Sequence, residues 1–378
     1  VRRLVPASLL LFLPLLLFFA FDGKTGEGPA ISGKSLTYPK TQWTKVFPAD
    51  ITGVDMAEKT GRVVASTKER VYYFGDSRAP QWTAGKEQDW KHVQDVAVNQ
   101  KGDLVFFQTD DRPKTHTEGM DLTMRLYDGQ GKELWNRPNP RRYVNAMLSP
   151  SGSYIMTGEL MHTGVCCYDR NLNRLWKKQI QFWYVETDPL EKFVFDGQGG
   201  RLYTMEGKQV WEFDKATKIL SVSDNAEYVL AKHYASRKAR NRIFLNARVA
   251  LKKVELCGSG GCVSPDGTYT AYVNDDNKLV VYRTRELLEN GPDDLPPLFS
   301  ETFQKPWSMN LARDNRSLFI MGKKSALSSS MMLVDLTEMK KAWEKPVKSD
   351  LRTALADENN RHVVVKTGDN VLKKFVSY

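Results

Sequence analysis

Three marks recur in one order about eight times between Thr41 and Tyr378, and so short a repeated unit can hide its apolar faces only by stacking on its neighbours. The first mark is a tight polar turn that feeds an apolar strand. It stands at Thr60-Gly61, Lys101-Gly102, Ser151-Gly152 and Asp266-Gly267, and in looser form near Leu190-Glu191, Asn225-Ala226, Asp314-Asn315 and Glu358-Asn359. The second is a strand of β-branched, aliphatic or aromatic residues, such as RVYYFG from Arg70, MRLYDG from Met124, VCCYDR from Val165 and LVVYRT from Leu279. The third is a short strand carrying a tryptophan, at Trp43, Trp82, Trp135, Trp176, Trp211 and Trp343, with blanks near Val254 and Phe303.

If each turn joins the first and second strands of a unit, the units are 35 to 50 residues apart and hold four strands each. The spacing predicts an all-β chain folded as an eight-bladed β-propeller over residues 41–378. A seven-bladed ring is the alternative, because the segment from Asp188 to Phe213 is short enough to be a degenerate unit. The two ends complement each other. Val371 to Val376 is a third strand with no fourth after it, and Lys40 to Phe47 is a lone Trp-bearing strand before the first turn. The N-terminal strand is therefore expected to complete the last blade, which closes the ring and removes exposed sheet edges. Hydrophobic residues at 41% and charged residues at 26% suit such a globular body.

The first residues differ in kind. Arg2 and Arg3 precede an apolar run from Leu4 to Phe21, which predicts an N-terminal hydrophobic helix over residues 1–21 acting as a signal peptide or a signal anchor. A small-residue cleavage site is poor at Phe18-Phe19-Ala20, and both readings stay open. With the basic end inside, the body is expected outside the cytoplasm, periplasmic or at the cell surface. Residues 22–40 are rich in Gly, Pro, Ser and Lys and read as a flexible linker with a mean reach of about 25 Å.

The segments YDGQGKELW (Tyr127 to Trp135), YDRNLNRLW (Tyr168 to Trp176) and LVDLTEMKKAW (Leu333 to Trp343) resemble the repeat of PQQ-like, quinoprotein-type β-propellers, in which a strand ends in Asp, a turn follows and the next strand carries Trp. That superfamily holds large quinone-dependent dehydrogenases and smaller non-catalytic proteins such as the eight-bladed lipoproteins of the outer-membrane assembly machinery. In size and topology this chain is similar to the smaller kind, although no Cys follows the apolar run to take a lipid.

Chemistry-bearing residues are sparse. Cys257 and Cys262 flank Gly258-Ser259-Gly260-Gly261, a sequence flexible enough to let them meet, and a disulfide is expected there, worth about 2 kcal/mol for so small a loop. Cys166 and Cys167 suggest the vicinal disulfide of some quinone-dependent dehydrogenases, but VCCYD reads as a continuous strand whose neighbouring side chains face apart, so two packed thiols are expected. His92, His116, His162, His233 and His362 have no common metal spacing, and His116 with Glu118 is too small a set for zinc. No GxSxG, HExxH, P-loop or calcium-loop pattern is present.

Basic residues exceed acidic ones by ten, and the densest patch holds Arg237, Lys238, Arg240 and Arg242. It suits an anionic partner such as phospholipid head groups, cell-wall polymer or an acidic protein surface, or else it is a solvated hairpin tip. Export removes nucleic acid from the candidates. In an up-and-down blade the loops between strands two and three share a face with the inter-blade connections, and the long insertions, from Asp110 to Leu122, His233 to Asn241 and Lys323 to Ser330, are of that type. The opposite face is expected to have mostly tight turns, apart from a long loop from Arg285 to Pro297. The elaborated face is the expected recognition surface, with Trp183, Tyr184 and Trp307 as candidate anchors. These observations predict a monomeric, non-catalytic, extracytoplasmic propeller, tethered to the membrane by the N-terminal helix or secreted, that binds a protein or an anionic envelope component and takes neither PQQ nor calcium. The alternatives are a PQQ-dependent oxidoreductase-like enzyme and a ring-mouth hydrolase or lactonase.

Overall fold

The computed structural model describes residues 36–85, 90, 92–110, 122–138, 143–159, 164–178, 185–188, 190–196, 201–212, 217–233, 242–326, 328–347 and 351–377. The N-terminal helix, the linker up to residue 35, Arg237, Lys238, Arg240, Trp183, Tyr184, His116 and Glu118 lie outside the described residues. Residues 36–378 form one compact unit. Among the described residues no helix is long and apolar enough to cross a membrane.

The chain is laid down as consecutive antiparallel hairpins. Six sheets have four strands and one has seven. The turn signals explain the layout, because each requires a backbone the strands themselves do not adopt. Gly61, Gly102, Gly152 and Gly267 have φ of 62°, 70°, 77° and 79°, and Glu191, Asn225, Asn315 and Asn360 take the same left-handed region at 54°, 50°, 54° and 57°. Glycine enters that region without steric cost and asparagine at little. The looser marks are therefore the same turn written with a different residue.

A second device fixes most of the turns, though not those at Gly61 and Asn315, where Ala57 and Ala312 stand at the equivalent position and make only backbone bonds. Asn99 Oδ1 accepts hydrogen bonds from the backbone N–H groups of Asp103 and Leu104, and Asp188 Oδ1 accepts from those of Lys192 and Phe193. The hydroxyls of Ser149, Ser223 and Ser264 accept from the N–H of Tyr154, Tyr228 and Tyr269. On the next hairpin of a unit, the Asp that ends each YD strand does the same work. Asp128 Oδ1 accepts from Gln130 and Lys132, and Asp169 Oδ1 from Asn171 and Asn173.

The ring closes as the two ends predict. Strand Lys40–Val46 pairs antiparallel with Val371–Val376, from Lys40 opposite Val376 to Val46 opposite Val371. The core lies between neighbouring sheets rather than inside any one. Phe47 and Leu372 pack with Ile51 and Tyr72, Val64 with Val105, Phe106 with Ile155, Met156 with Val194, and Phe195 with Val229. The sequence continues with Leu230 against Val280, Val281 against Ile320, and Met331 against Val363, which returns to the sheet that carries Lys40–Val46. Fully burying one such side chain is worth about 1.5–3 kcal/mol, so the stability of the ring is spread over its junctions.

The tryptophans tie one sheet to the next. Trp82, Trp135 and Trp176 donate their indole N–H to the carbonyls of Gly129 (3.3 Å), Arg170 (2.9 Å) and Met205 (2.6 Å), each in a turn of the following sheet. Gly131, at φ 87°, lies under Trp82 so closely that a Cβ would come 2.6 Å from the ring. At one of the two blanks Phe303 is fully buried.

Two expectations are corrected. Cys257 and Cys262 are free thiols, and Gly258-Ser259-Gly260-Gly261 is not a loop. All lie within the strand Lys252–Val263, whose first half pairs with Arg242–Ala247 and whose second half pairs with Tyr269–Asn274. The extended backbone separates the thiols and leaves Cys257 exposed and Cys262 buried. The glycines there serve close approach: a Cβ on Gly258 would sit 2.3 Å from the Val273 carbonyl oxygen, and one on Gly261 2.6 Å from that of Ala271. The second correction is local. The long connection after residue 283 opens with a helix, Thr284–Asn290, that the sequence pattern did not reveal and that buries Leu287.

Candidate binding surface

Three places bring polar groups together. The first is the ring axis, at the turns between first and second strands. Backbone bonds link successive turns there: Lys59 N–H to Gln100 O, Gln100 N–H to Pro150 O, Asp224 N–H to Pro265 O, Arg313 N–H to Glu358 O, and Glu358 N–H to Glu58 O. Arg313 reaches past an intervening turn to grip Asp224 with both Nη atoms, at 2.5 and 3.2 Å, while its Nε lies 3.4 Å from Glu358. Glu58 accepts from Gln100 Nε2 at 2.9 Å, and its pKa is raised, chiefly by burial among the surrounding turns and further by Glu358, against the pull of Arg313.

Asp55, just inside, accepts from its neighbour Met56 N–H and from Val98 N–H of the next sheet, both at 2.8 Å. Burial outweighs those bonds, and its pKa rises from 3.8 to about 6. Carboxylates thus converge on the axis as a ring-mouth hydrolase requires. Their chemistry is already committed, since Asp224 and Glu358 are paired with the guanidinium and bind one turn to another.

The second place is the cysteine pair in strand Gly164–Asp169. Cys166 sits opposite Thr157 and Cys167 opposite Met156, in an unbroken register. Both are free and buried. Cys167 packs with Met156, Val194 and Met205, and burial pushes its thiol pKa to about 12, so it is a core thiol rather than a nucleophile. The two side chains face opposite sheets and do not form the vicinal cradle that a quinone would lie against.

Among the histidines, His362 Nδ1 lies 2.8 Å from Asp357, which also accepts from Arg361 N–H, and the pair braces a turn. No group of three or more metal-binding side chains occurs among the described residues. Of the basic patch only Arg242 is described. It is exposed and already meets Glu255 at 3.1 Å.

The third place is a groove of about 420 Å³ between the sheet of residues 305–347 and the closing sheet. It prolongs the core between them. Trp343, Met331, Val365 and Phe375 are buried at that junction, and Trp307, the one aromatic of the three candidate anchors that is described, packs against the same cluster. Farther along the same strands the pattern that should supply apolar residues supplies Lys345 and Lys373 instead. Lys345 Nζ lies 4.7 Å from the ring centre of Phe375 and 5.4 Å from that of Tyr38. Burial and repulsion from Lys373 lower its pKa. Neither lysine has an ion pair or hydrogen bond among the described residues. Glu344, adjacent in sequence, points to the opposite side of the strand and is taken by Lys324 at 2.7 Å and Lys341 at 3.1 Å. The sequence held no signal for the groove beyond the lysines at two inward positions.

No family model matches the chain, and no curated protein matches it in sequence. Solved structures do. The Dos1 propeller matches with 12% identity and a TM-score of 0.59, covering 90% of this chain and 95% of that one. BamB from Moraxella catarrhalis matches with 12% identity and a TM-score of 0.57, covering 90% of this chain and 98% of that one. At such identity the likeness is one of fold: the chain is a β-propeller.

Proposed function

We propose that this chain is an eight-bladed, non-catalytic propeller that works outside the cytoplasm as a binding scaffold for a protein or an anionic envelope component. The blade count is supported by the strand Lys252–Val263, which pairs on both flanks, so that the seven-stranded sheet divides into two four-stranded units sharing one long strand. One observation carries the functional reading. The ionisable groups at the axis are consumed in holding turns together, whereas two cations at the junction of the last two sheets have no ion pair or hydrogen bond among the described residues and stand beside an open apolar groove.

The likeness to BamB favours a scaffold in the cell envelope, and residues 1–21 would then serve as signal or anchor, with a linker that ends before Leu36, where the compact unit begins. On this reading no quinone and no calcium is bound. Affinity capture with the intact chain from its own envelope tests the scaffold role, and a translocation-dependent reporter fused after Tyr378 tests export. Micromolar binding of a quinone cofactor, lost when Cys166 and Cys167 are both replaced by Ser, would overturn the reading in favour of the oxidoreductase.

A further inference from the structure

We propose that the groove between the last two blades seats an acidic peptide segment of a protein partner, with an apolar side chain against Val347, Val365 and Phe375 and a neighbouring carboxylate between Lys345 and Lys373. The inference rests on the scaffold reading and adds the chemistry that the partner presents. Alternation along the strands aims residues 343, 345 and 347 of one sheet and 371, 373 and 375 of the other into the same junction, where every other inward position is apolar or small. Two ammonium groups facing one half-buried space repel each other, and the aromatic faces of Phe375 and Tyr38 offset only part of that cost for Lys345.

A carboxylate placed between the two would relieve the repulsion and gain charge-assisted hydrogen bonds in a place partly shielded from water. The groove's volume suits a pair of side chains. It lies beside Gly368 and Asn370, in the turn between strands two and three of the closing sheet. Among the described lining residues the two ammonium groups are the only charged donors, enough to neutralise a carboxylate between them, while a phosphate's further oxygens would need additional donors.

The test uses the full chain with its lysines reductively methylated in carbon-13, a change that keeps their charge. The probes are acetyl-Ser-Leu-Asp-Ser-amide, its Asn counterpart, and vesicles containing phosphatidylglycerol. The expected result is saturable movement of the Lys345 and Lys373 methyl signals by the Asp peptide, binding about tenfold weaker for the Asn peptide, and, by isothermal titration calorimetry on the unmethylated proteins, loss of the parent chain's saturable Asp-peptide binding in the Lys345→Gln, Lys373→Gln double variant. A Val347→Ser variant, which leaves both charges in place, is expected to weaken both peptides, since both carry the Leu, and to leave vesicle binding unchanged.

Equal binding of the two peptides, or no saturation by the Asp peptide up to about 10 mM, overturns the proposal. So does vesicle binding that depends on the two lysines while the peptide does not bind, which assigns the groove to lipid. If the double variant still captures the same envelope protein as the parent chain, the groove assignment fails and the scaffold reading stands. If neither captures one, the scaffold reading itself fails.

Discussion

Lys373 and Lys374 are neighbours in one strand and meet opposite fates. Lys373 looks toward the preceding sheet and lines the open groove. Lys374 looks toward the first sheet and is fully buried; among the described residues its ammonium has no hydrogen-bond acceptor, and Asp76, itself exposed, is its one ion-pair partner, at 3.7 Å. Burial is the main cause of its lowered pKa, resisted by Asp76 and Asp357. The strand that closes the ring thus carries a charge into each of its two junctions. At one junction the core shuts over the charge, and at the other it leaves room for a partner. The difference shows that an inward lysine is not itself a sign of a site; the space in front of it decides.

The largest expected effect removes both junctions together. Deleting residues 36–47 takes Trp43 and Phe47 from one interface and Tyr38 from beside Lys345 at the other, and leaves Val371–Val376 as an exposed edge. Aggregation or a loss of most of the folding free energy is expected, read by size-exclusion chromatography and thermal unfolding. A soluble, cooperatively melting product would refute the account of closure.

Next in size is the axis. Arg313→Leu strands Asp224 and Glu358 beside Glu58, and a loss of about 2 kcal/mol is expected from denaturant unfolding, below the cost of breaking a fully buried pair because these groups keep some water. An unchanged midpoint would show that the turns hold without the ion pairs.

Lys374→Met goes the other way. Replacing a buried, poorly paired charge with an apolar chain of similar length is expected to be neutral or to stabilise by about 1–2 kcal/mol. The pH dependence sharpens it. Because the folded pKa lies below the unfolded one, the unfolded chain holds more protons, so stability rises with pH through the folded value toward the unfolded one. The Met variant should lose that alkaline gain. If instead it is destabilised, the ammonium is better satisfied than the geometry implies.

Asp55 supplies a window at the acid side. Its raised pKa means the folded state keeps a proton that the unfolded state releases, so stability falls as pH rises from about 4 to about 6 and is regained on acidification. Thermal melts of the parent and Asp55→Asn across that range should differ in slope. The Asn variant should also lose one of the two backbone bonds at every pH, since its amide has a single acceptor oxygen. The smallest effect belongs to the open junction. Lys373→Gln is expected to change stability by no more than about 0.5 kcal/mol, as for other partly solvated surface charges. A large loss there would mean that Lys373 is a core residue like its neighbour.

Much of the architecture could be read from the chain because it is written locally. The turns at Gly61, Gly102, Gly152 and Gly267 need a left-handed residue, and in most units a Trp-bearing strand follows before the next such turn. Their variants at Glu191, Asn225, Asn315 and Asn360 are legible once the backbone requirement is known. What misled was the meaning of a glycine. Between Cys257 and Cys262 glycine suggested flexibility, but there it serves a strand pressed against its partner, and only the partner, ten or more residues on, distinguishes the two. The axis and the groove were out of reach for a related reason. Arg313 and Asp224 are 89 residues apart, and the groove is built by two sheets whose facing sides meet only after the ring has closed.

Closure also sets an order of events. Asn370 donates to the carbonyl of Phe47 across 323 residues of chain, and the first strand has no sheet of its own until the last one exists. During synthesis Lys40–Val46 therefore waits, unpaired, while sheet after sheet forms behind it. Such a seam makes the final step of folding a distant loop closure, slow and open to capture by other strands. A chain interrupted anywhere before Val371 keeps an unclosed edge, so the ring contains its own check that the whole propeller has been made.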